Sequence, residues 1–175
     1  NYAVVEYVSQ LSNLEGVTVE TPNNSFHDLT ILSVDSTFFS LFDFPLEQGT
    51  IQNCLTSNKI VLSREKAFLL FSNSDVVGNT VTLVTPDTTR QLTVSAVVDK
   101  PTENSHLIFV ALVHHSVFPK NWNGGASYVL LTDANAAESL QGKINNDIQR
   151  PGLIGPGKMD YFLNPLADSY FSTDN

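Results

Sequence analysis

The sequence has few charged side chains and almost no sulfur. Charged residues make up 15% of the 175 residues, and 9 Lys and Arg stand against 18 Asp and Glu, so the net charge is −9. A chain this poor in basic residues lacks the positive surface that nucleic acid phosphates and anionic membrane surfaces attract, so neither is an expected partner. The single cysteine, Cys54, can form neither an intrachain disulfide nor a cysteine-rich metal site.

Long hydrophobic runs are also missing. A membrane-spanning helix needs about 20 consecutive apolar residues. The longest apolar run extends from Leu107 to Val113, which is the length of a buried strand. Hydrophobic residues nevertheless make up 42% of the chain, so we expect a folded domain with a substantial core.

The apolar pattern alternates between strands and short helices. Helical spacing predicts helices over residues 4–14, 37–42, 63–71 and 133–150. Short apolar runs and period-two alternation predict strands over 17–20, 28–34, 59–62, 107–113, 128–131 and 161–166, with a hairpin over 80–99. This order predicts an α+β fold, with a mixed sheet favoured over a doubly wound parallel one.

One segment has the spacing of a phosphate-binding loop. Gly152 to Lys158 fits G-x-x-x-x-G-K, but Met159 stands where a magnesium-holding Ser or Thr would follow, and Pro156 lacks a backbone amide. The preceding segment is predicted to be a helix and the following one a strand, whereas a phosphate loop follows a strand and opens a helix. We therefore predict that the chain has no nucleotide cofactor.

The histidines offer the nearest approach to catalytic chemistry. His114, His115 and Ser116 are consecutive, and a nucleophilic site needs a serine within hydrogen-bond reach of a histidine that a carboxylate orients. Neighbouring residues at a strand end point to opposite faces, so we interpret these three as polar residues that end a strand. His27 and His106 complete the set without any metal-ligand spacing. We predict no catalytic, cofactor or metal residues, and hence no enzyme.

Aromatic residues concentrate in one short stretch. Phe38, Phe39, Phe42 and Phe44 could form a binding platform, but burying a Phe side chain gains about 1.5–3 kcal/mol, so we expect a core cluster.

A second aromatic feature is a glycine-containing loop that carries the only tryptophan of the chain. Tryptophan is enriched among residues that anchor interfaces. We therefore predict a partner contact at Trp122, Asn123, Gly124 and Gly125.

Four stretches together, in their order and spacing, resemble a known family. They are Val34–Leu46 (VDSTFFSLFDFPL, followed by Gly49), 60–81, 97–109 (VVDKPTENSHLIF) and 164–168. The likeness extends over about residues 28 to 170 and is to the extracytoplasmic core domain of MacB-like ABC transporter permeases, a group that includes FtsX-like permeases. Two positions depart from the family pattern: Ser72 follows Phe71 where a Gly is usual, and Val76 replaces a Pro.

This resemblance implies a particular architecture. A porter-like subdomain with a mixed sheet would form from both chain ends, residues 1–56 and 107–175. A smaller α/β subdomain, residues 57–106, would be inserted between them. In such permeases the domain stands between the first two transmembrane helices, so flanking helices outside this chain would hold it at the inner membrane, on the periplasmic side.

The resemblance also implies a function. The family domain is not catalytic, and a separate domain or subunit hydrolyses ATP. The domain would couple that hydrolysis to export, such as efflux, or to conformational change in the periplasm, and would contact the substrate. Its partners would be the ATP-binding subunit, through the rest of the permease, and a periplasmic adaptor or a second permease copy.

Two other functions fit the composition. One is a free-standing extracytoplasmic module that binds a sugar or a peptide, with Trp122 and tyrosines as contacts. The other is a hydrolase whose carboxylate or Ser–His site only the fold assembles.

Overall fold

The computed structural model describes residues 3–27, 29–73, 75–99, 106–118, 125–148 and 161–170, and these form the predicted α+β fold with a mixed sheet. The strands are β1 Val5–Leu14, β2 Thr18–Glu20, β3 Ser25–Phe26, β4 Ile31–Val34, β5 Leu46–Gly49, β6 Lys59–Ser63, β7 Thr80–Val84, β8 Thr89–Val98, β9 Ala111–His114 and β10 Ala126–Leu131. The α-helices are α1 Phe38–Leu41, α2 Arg64–Phe71 and α3 Ala137–Ile148. Short 3₁₀ turns cover His115–Val117, Ala134–Ala136 and Leu166–Tyr170. In these described ranges, no helix combines the length and the apolar character that a membrane span requires.

The ten described strands form one sheet in the order β10-β1-β4-β9-β6-β8-β7-β2-β3, with β5 pairing to β8. The pairs β4–β9 and β6–β8 are parallel. The pairs β1–β4, β6–β9, β7–β8, β2–β7, β2–β3 and β5–β8 are antiparallel.

Hydrophobic side chains cover both faces of the central strands. Successive strand residues point to opposite faces. In β6, Ile60 and Leu62 belong to one hydrophobic cluster, which α2 also joins through Leu70, and we call it the α2-side core. Val61 belongs to a second cluster that α1 joins through Phe38, the α1-side core. Strands that are buried on both faces have nearly continuous apolar sequences, and the central strands of this sheet do.

A bulge in β8 links the two cores. Its pairing with β6 shifts register at the point where Ser95 stands, and the Ser95 hydroxyl donates to the backbone oxygens of Cys54 at 2.7 Å and Ile60 at 3.0 Å. Gly49 of β5 lies against this bulge with a φ of +83°, and a Cβ there would come within 2.3 Å of the Ser95 carbonyl oxygen. The bulge therefore requires glycine at position 49.

Local capping signals place two of the predicted helices. The Ser63 side chain accepts a hydrogen bond from the Lys66 amide at 3.3 Å and starts α2 where the sequence predicts a helix. The Asp133 side chain accepts from the Asn135 amide at 2.9 Å at the turn that leads into α3.

The predicted helix over 4–14 is wrong, because this segment is strand β1. Leu11 packs in the α1-side core and Leu14 in the α2-side core. A strand whose side chains enter hydrophobic clusters on both faces of the sheet can carry apolar residues three positions apart. That spacing resembles the spacing of apolar residues in a helix. Pairing with β4 determines the outcome.

The predicted strand over 161–166 is also wrong. Residues 161–165 are irregular and a 3₁₀ turn follows. The Tyr161 amide donates to the Asn145 side chain at 2.7 Å, and the Leu163 amide donates to Gln141 at 2.8 Å. Side chains of α3 thus take the amides that a strand would pair, and Pro165 has none to offer.

The chain divides into two compact units, residues 1–8 with 129–175 and residues 9–128. The smaller unit contains α3 with its buried Leu140, and the larger contains both cores. The division into a subdomain of residues 1–56 and 107–175 and an inserted subdomain of residues 57–106 stays a prediction.

Candidate functional site

The aromatic stretch forms part of the α1-side core, as predicted. Phe38 is 0% exposed, and its ring lies 5.0 Å from that of Phe42 and 5.7 Å from that of Phe44, measured between centroids. Phe109 meets Phe38 edge to face at 6.2 Å. Phe39 and Phe44 are partly buried against the same core. The cluster fixes the position of the segment that leads from His106 into β9.

A histidine and a tyrosine lie beside this cluster. His106 Nε2 is 3.1 Å from the Tyr128 hydroxyl, and the Tyr128 ring meets Phe42 edge to face at 5.1 Å. Burial lowers the pKa of His106 below 6.5 and raises the pKa of Tyr128 above 10.0. Both side chains are therefore uncharged at neutral pH.

Next to this pair is a cleft of about 380 Å³. It lies wholly within the larger unit, and four segments far apart in sequence contribute to it. Its described lining is Leu11, Ser12, Asn13, Thr30, Leu32, His106, Leu107, Ile108, Gly125, Ala126 and Tyr128. None of these described side chains is acidic or basic apart from the histidine, which is uncharged at neutral pH.

Two residues of the cleft have tight surroundings. Ser12 is 6% exposed, and its hydroxyl has no hydrogen-bond partner among the residues that the structure describes. A Cβ on Gly125 would come within 2.1 Å of the Leu11 carbonyl oxygen, so only glycine fits there. Gly125 is the one described residue of the predicted partner contact, and Trp122, Asn123 and Gly124 lie outside the described residues.

Asp35 forms a second polar cluster, at the end of β4. One carboxylate oxygen accepts from the Ser9 hydroxyl at 2.9 Å, from the Thr37 amide at 3.1 Å and from the Thr37 hydroxyl at 2.6 Å. The other accepts from the Gln10 amide at 2.9 Å. Asp35 thus ties β1 to the turn before α1.

The structure brings together a histidine and a serine that the sequence argument kept apart. His114 Nδ1 lies 2.7 Å from the Ser116 hydroxyl, because a 3₁₀ turn that begins at His115 folds Ser116 back. The Ser116 amide also donates to His114 Nδ1, at 3.2 Å. An Nδ1 that accepts a backbone N–H caps the turn. The interpretation of these residues as a polar strand end therefore agrees with the geometry better than a nucleophilic site does.

Metal and thiol chemistry find little support in the described ranges. They contain no group of three or more His, Cys, Asp or Glu side chains that could hold a metal ion. Cys54 is buried, and burial raises the pKa of its thiol above 9.0, which disfavours the reactive thiolate. The phosphate-loop-like segment 152–158 lies outside the described residues.

Sequence reasoning missed the cleft. Ser12 and Ala126 carry no recognisable motif, and their neighbours in the cleft come from β4 and the segment before β9. Gly125 belongs to the tryptophan-containing loop, and His106, Leu107 and Ile108 belong to the family-like stretch 97–109, but nothing in the sequence places these two segments beside each other.

Comparison with known proteins identifies the fold. The profile of the MacB-like periplasmic core domain family matches residues 1–147. No curated protein sequence matches the chain. Among solved structures, the periplasmic region of MacB from Actinobacillus actinomycetemcomitans is similar with a TM-score of 0.65 and 20% identity, covering 83% of this chain and 69% of that one.

Two further solved structures are similar. A permease-protein domain from Porphyromonas gingivalis has a TM-score of 0.69 and 17% identity, covering 92% of this chain and 82% of its own. The extracellular domain of the noncanonic ABC-type transporter YknZ from Gram-positive bacteria has a TM-score of 0.61 and 14% identity, covering 83% of this chain and 76% of its own.

Proposed function

This chain belongs to the MacB-like periplasmic core domain family, the periplasmic domains of ABC transporter permeases, and on that premise we propose that it couples ATP hydrolysis in the cytoplasm to events in the periplasm. Domains of this family are generally not catalytic. ATP would be hydrolysed by a separate domain or subunit, and this domain would change position or partner contacts in response.

The observation that carries this proposal is the family match over residues 1–147. The packing of the larger unit supports it. The central strands have hydrophobic clusters on both faces, and the β8 bulge and the Asp35 cluster tie neighbouring segments together. A body packed in this way can transmit displacement without deforming, because densely packed cores have low compressibility.

The partner contact is a finer part of the proposal. We place it at Trp122, Asn123, Gly124 and Gly125, and its partner is a periplasmic adaptor or a second permease copy. Gly125, the member of this set that the structure describes, is exposed. The substrate, too, would meet the domain on the periplasmic side.

Attachment to the inner membrane by flanking helices distinguishes this function from a free-standing sugar- or peptide-binding module. The test uses cells that express the complete gene with Asp43→Cys, an exposed position, while the native Cys54 is buried. A membrane-impermeant maleimide is added to spheroplasts before and after permeabilisation. We expect labelling before permeabilisation, in the membrane fraction, on a protein larger than the 19.2 kDa of this chain.

Two results would contradict the proposal. Labelling that requires permeabilisation would put the domain on the cytoplasmic side. A labelled protein of about the chain's own 19.2 kDa in the soluble periplasmic fraction would favour the free-standing module. The complete protein without the substitution, in which this domain offers only the buried Cys54, controls for background labelling.

A further inference from the structure

We propose that the cleft beside His106 and Tyr128 binds an uncharged small molecule that has both an apolar face and at least one hydrogen-bonding group. The volume of about 380 Å³ lies within the range of small-molecule sites, roughly 300–1,000 Å³. The inference goes beyond the transport role and does not depend on it.

The apolar part of the cleft comes from aliphatic side chains. Leu11, Leu32 and Leu107 are buried members of the α1-side core and present their edges to the cleft. Ile108 lies at the margin of the cleft and is 73% exposed, although Leu107 and Phe109 on either side of it are buried. A ligand with an apolar face would cover Ile108 and gain the free energy of removing that side chain from water.

Polar groups are present at a few points around this apolar surface. Asn13 and Thr30 are exposed lining residues, and the His106–Tyr128 pair stands on the aromatic cluster. Ser12 adds a nine-tenths-buried hydroxyl without a partner among the described residues. Buried hydroxyls nearly always have a partner, so this one indicates a place for a bound molecule's hydrogen-bonding group. The lining of the cleft thus presents polar and apolar surface in about equal parts, so a ligand would need both an apolar face and hydrogen-bonding groups.

The charge of the lining restricts the class of ligand. No described lining residue is acidic or basic, and the one histidine is uncharged at neutral pH. A charged ligand would lose its hydration here without gaining an ion pair. An anion would in addition be repelled by the net charge of −9. The cleft therefore favours an uncharged molecule.

The test compares two dyes with the same ring system. N-phenyl-1-naphthylamine is uncharged, mainly apolar and has one N–H group, whereas 1-anilinonaphthalene-8-sulfonate adds a sulfonate. Fluorescence titration of the folded chain should give a dissociation constant for the uncharged dye that is at least about tenfold lower than for the sulfonate. Equal affinities for the two dyes, or no binding of the uncharged dye, would overturn the proposal.

Matched variants locate the binding. Ala126→Phe fills the cleft from β10, and Ser127→Phe adds the same ring on the opposite face of the same strand. We expect Ala126→Phe to weaken binding of the uncharged dye at least about tenfold and Ser127→Phe to change it less than about twofold. Unchanged binding in Ala126→Phe would overturn the proposal.

A third variant controls for the exposed apolar face of α2. Phe68 is 59% exposed and could itself attract an apolar dye. Phe68→Ser should leave the affinity unchanged, and loss of binding in this variant would contradict the proposed location. Circular dichroism and thermal melting check that each variant folds. If Ala126→Phe does not fold, Thr30→Phe fills the cleft from the facing segment, with the same expected loss and the same contradicting result.

Discussion

The Asp35 carboxylate accepts a hydrogen bond from the Ser9 hydroxyl at 2.9 Å, across 26 positions of sequence. The same carboxylate also accepts from Gln10 and Thr37. All of these partners are donors, so the site requires a group with two acceptor oxygens. This gives the aspartate of the VDSTFF stretch a structural reason that the sequence pattern alone does not provide.

Asp35→Asn should lower the free energy of unfolding by about 1–3 kcal/mol, because an amide keeps one acceptor oxygen and turns its NH₂ toward other donors. Urea denaturation of the purified chain measures this change. Asp43→Asn is the matched control, since Asp43 is exposed, and it should change stability by less than about 0.5 kcal/mol. Equal midpoints for both variants would contradict the assigned role of Asp35.

The aromatic cluster gives a second prediction. Phe38→Ala should cost about 3–5 kcal/mol of unfolding free energy, because Phe38 is 0% exposed and contacts four other aromatic rings. The same substitution at the exposed Phe68 should cost less than about 1 kcal/mol. If the two variants unfolded at the same urea concentration, the cluster would not be core.

Gly125 gives a third prediction, which tests how closely it packs against Leu11. Gly125→Ala should destabilise the isolated chain by about 1–3 kcal/mol, because its Cβ would meet the Leu11 carbonyl oxygen. Gly142→Ala should stabilise it by about 0.5–1 kcal/mol, since Gly142 lies inside α3 with open space around the new methyl group. Thermal melting compares the two. A Gly125→Ala variant as stable as wild type would mean that β1 and β10 approach less closely than described.

Stability should depend on pH through His114 and His106. Burial lowers the pKa of both imidazoles below 6.5; at His114 the neighbouring His115 lowers it further and Asp35 acts in the opposite direction. Between the folded and unfolded pKa values the unfolded chain binds more protons. The stability from these neutral side chains is therefore complete above pH 6.5 and is lost as the pH falls through the folded pKa.

Melting temperatures measured between about pH 7.5 and pH 5 test this dependence. The melting temperature of the wild-type chain should fall as the pH is lowered, because protonation of His114 Nδ1 removes the acceptor that caps the turn at Ser116. His114→Gln should show a smaller fall over the same interval. An identical fall in the variant would exclude His114 as a source of the pH dependence.

Local signals explain which parts of this fold the sequence predicts. The start of α2 is predictable because Ser63 caps it within four residues, and the β7–β8 hairpin because its strands alternate around a short turn. β1 is not predictable from spacing, since Leu11 and Leu14 serve different cores. The cleft is even harder to predict from the sequence. Its lining comes from β1, β4, the segment before β9 and the start of β10, and no short-range sequence pattern shows that these segments lie together.

The central claim is that the domain responds to ATP bound at a cytoplasmic subunit. If ATP shifts the domain between two states, a ligand that binds one state more tightly than the other must change its apparent affinity when ATP is added. The most direct measurement uses a panel of nanobodies raised against this chain and the complete permease in nanodiscs with its ATP-binding subunit. Their dissociation constants are determined without nucleotide and with ATP trapped by a hydrolysis-deficient subunit.

We expect the dissociation constant of at least one nanobody to differ by about fivefold or more between the two conditions, whereas its affinity for the isolated chain stays the same with and without ATP. A panel that covers the domain and binds the complete permease equally well in both conditions would contradict coupling through this domain.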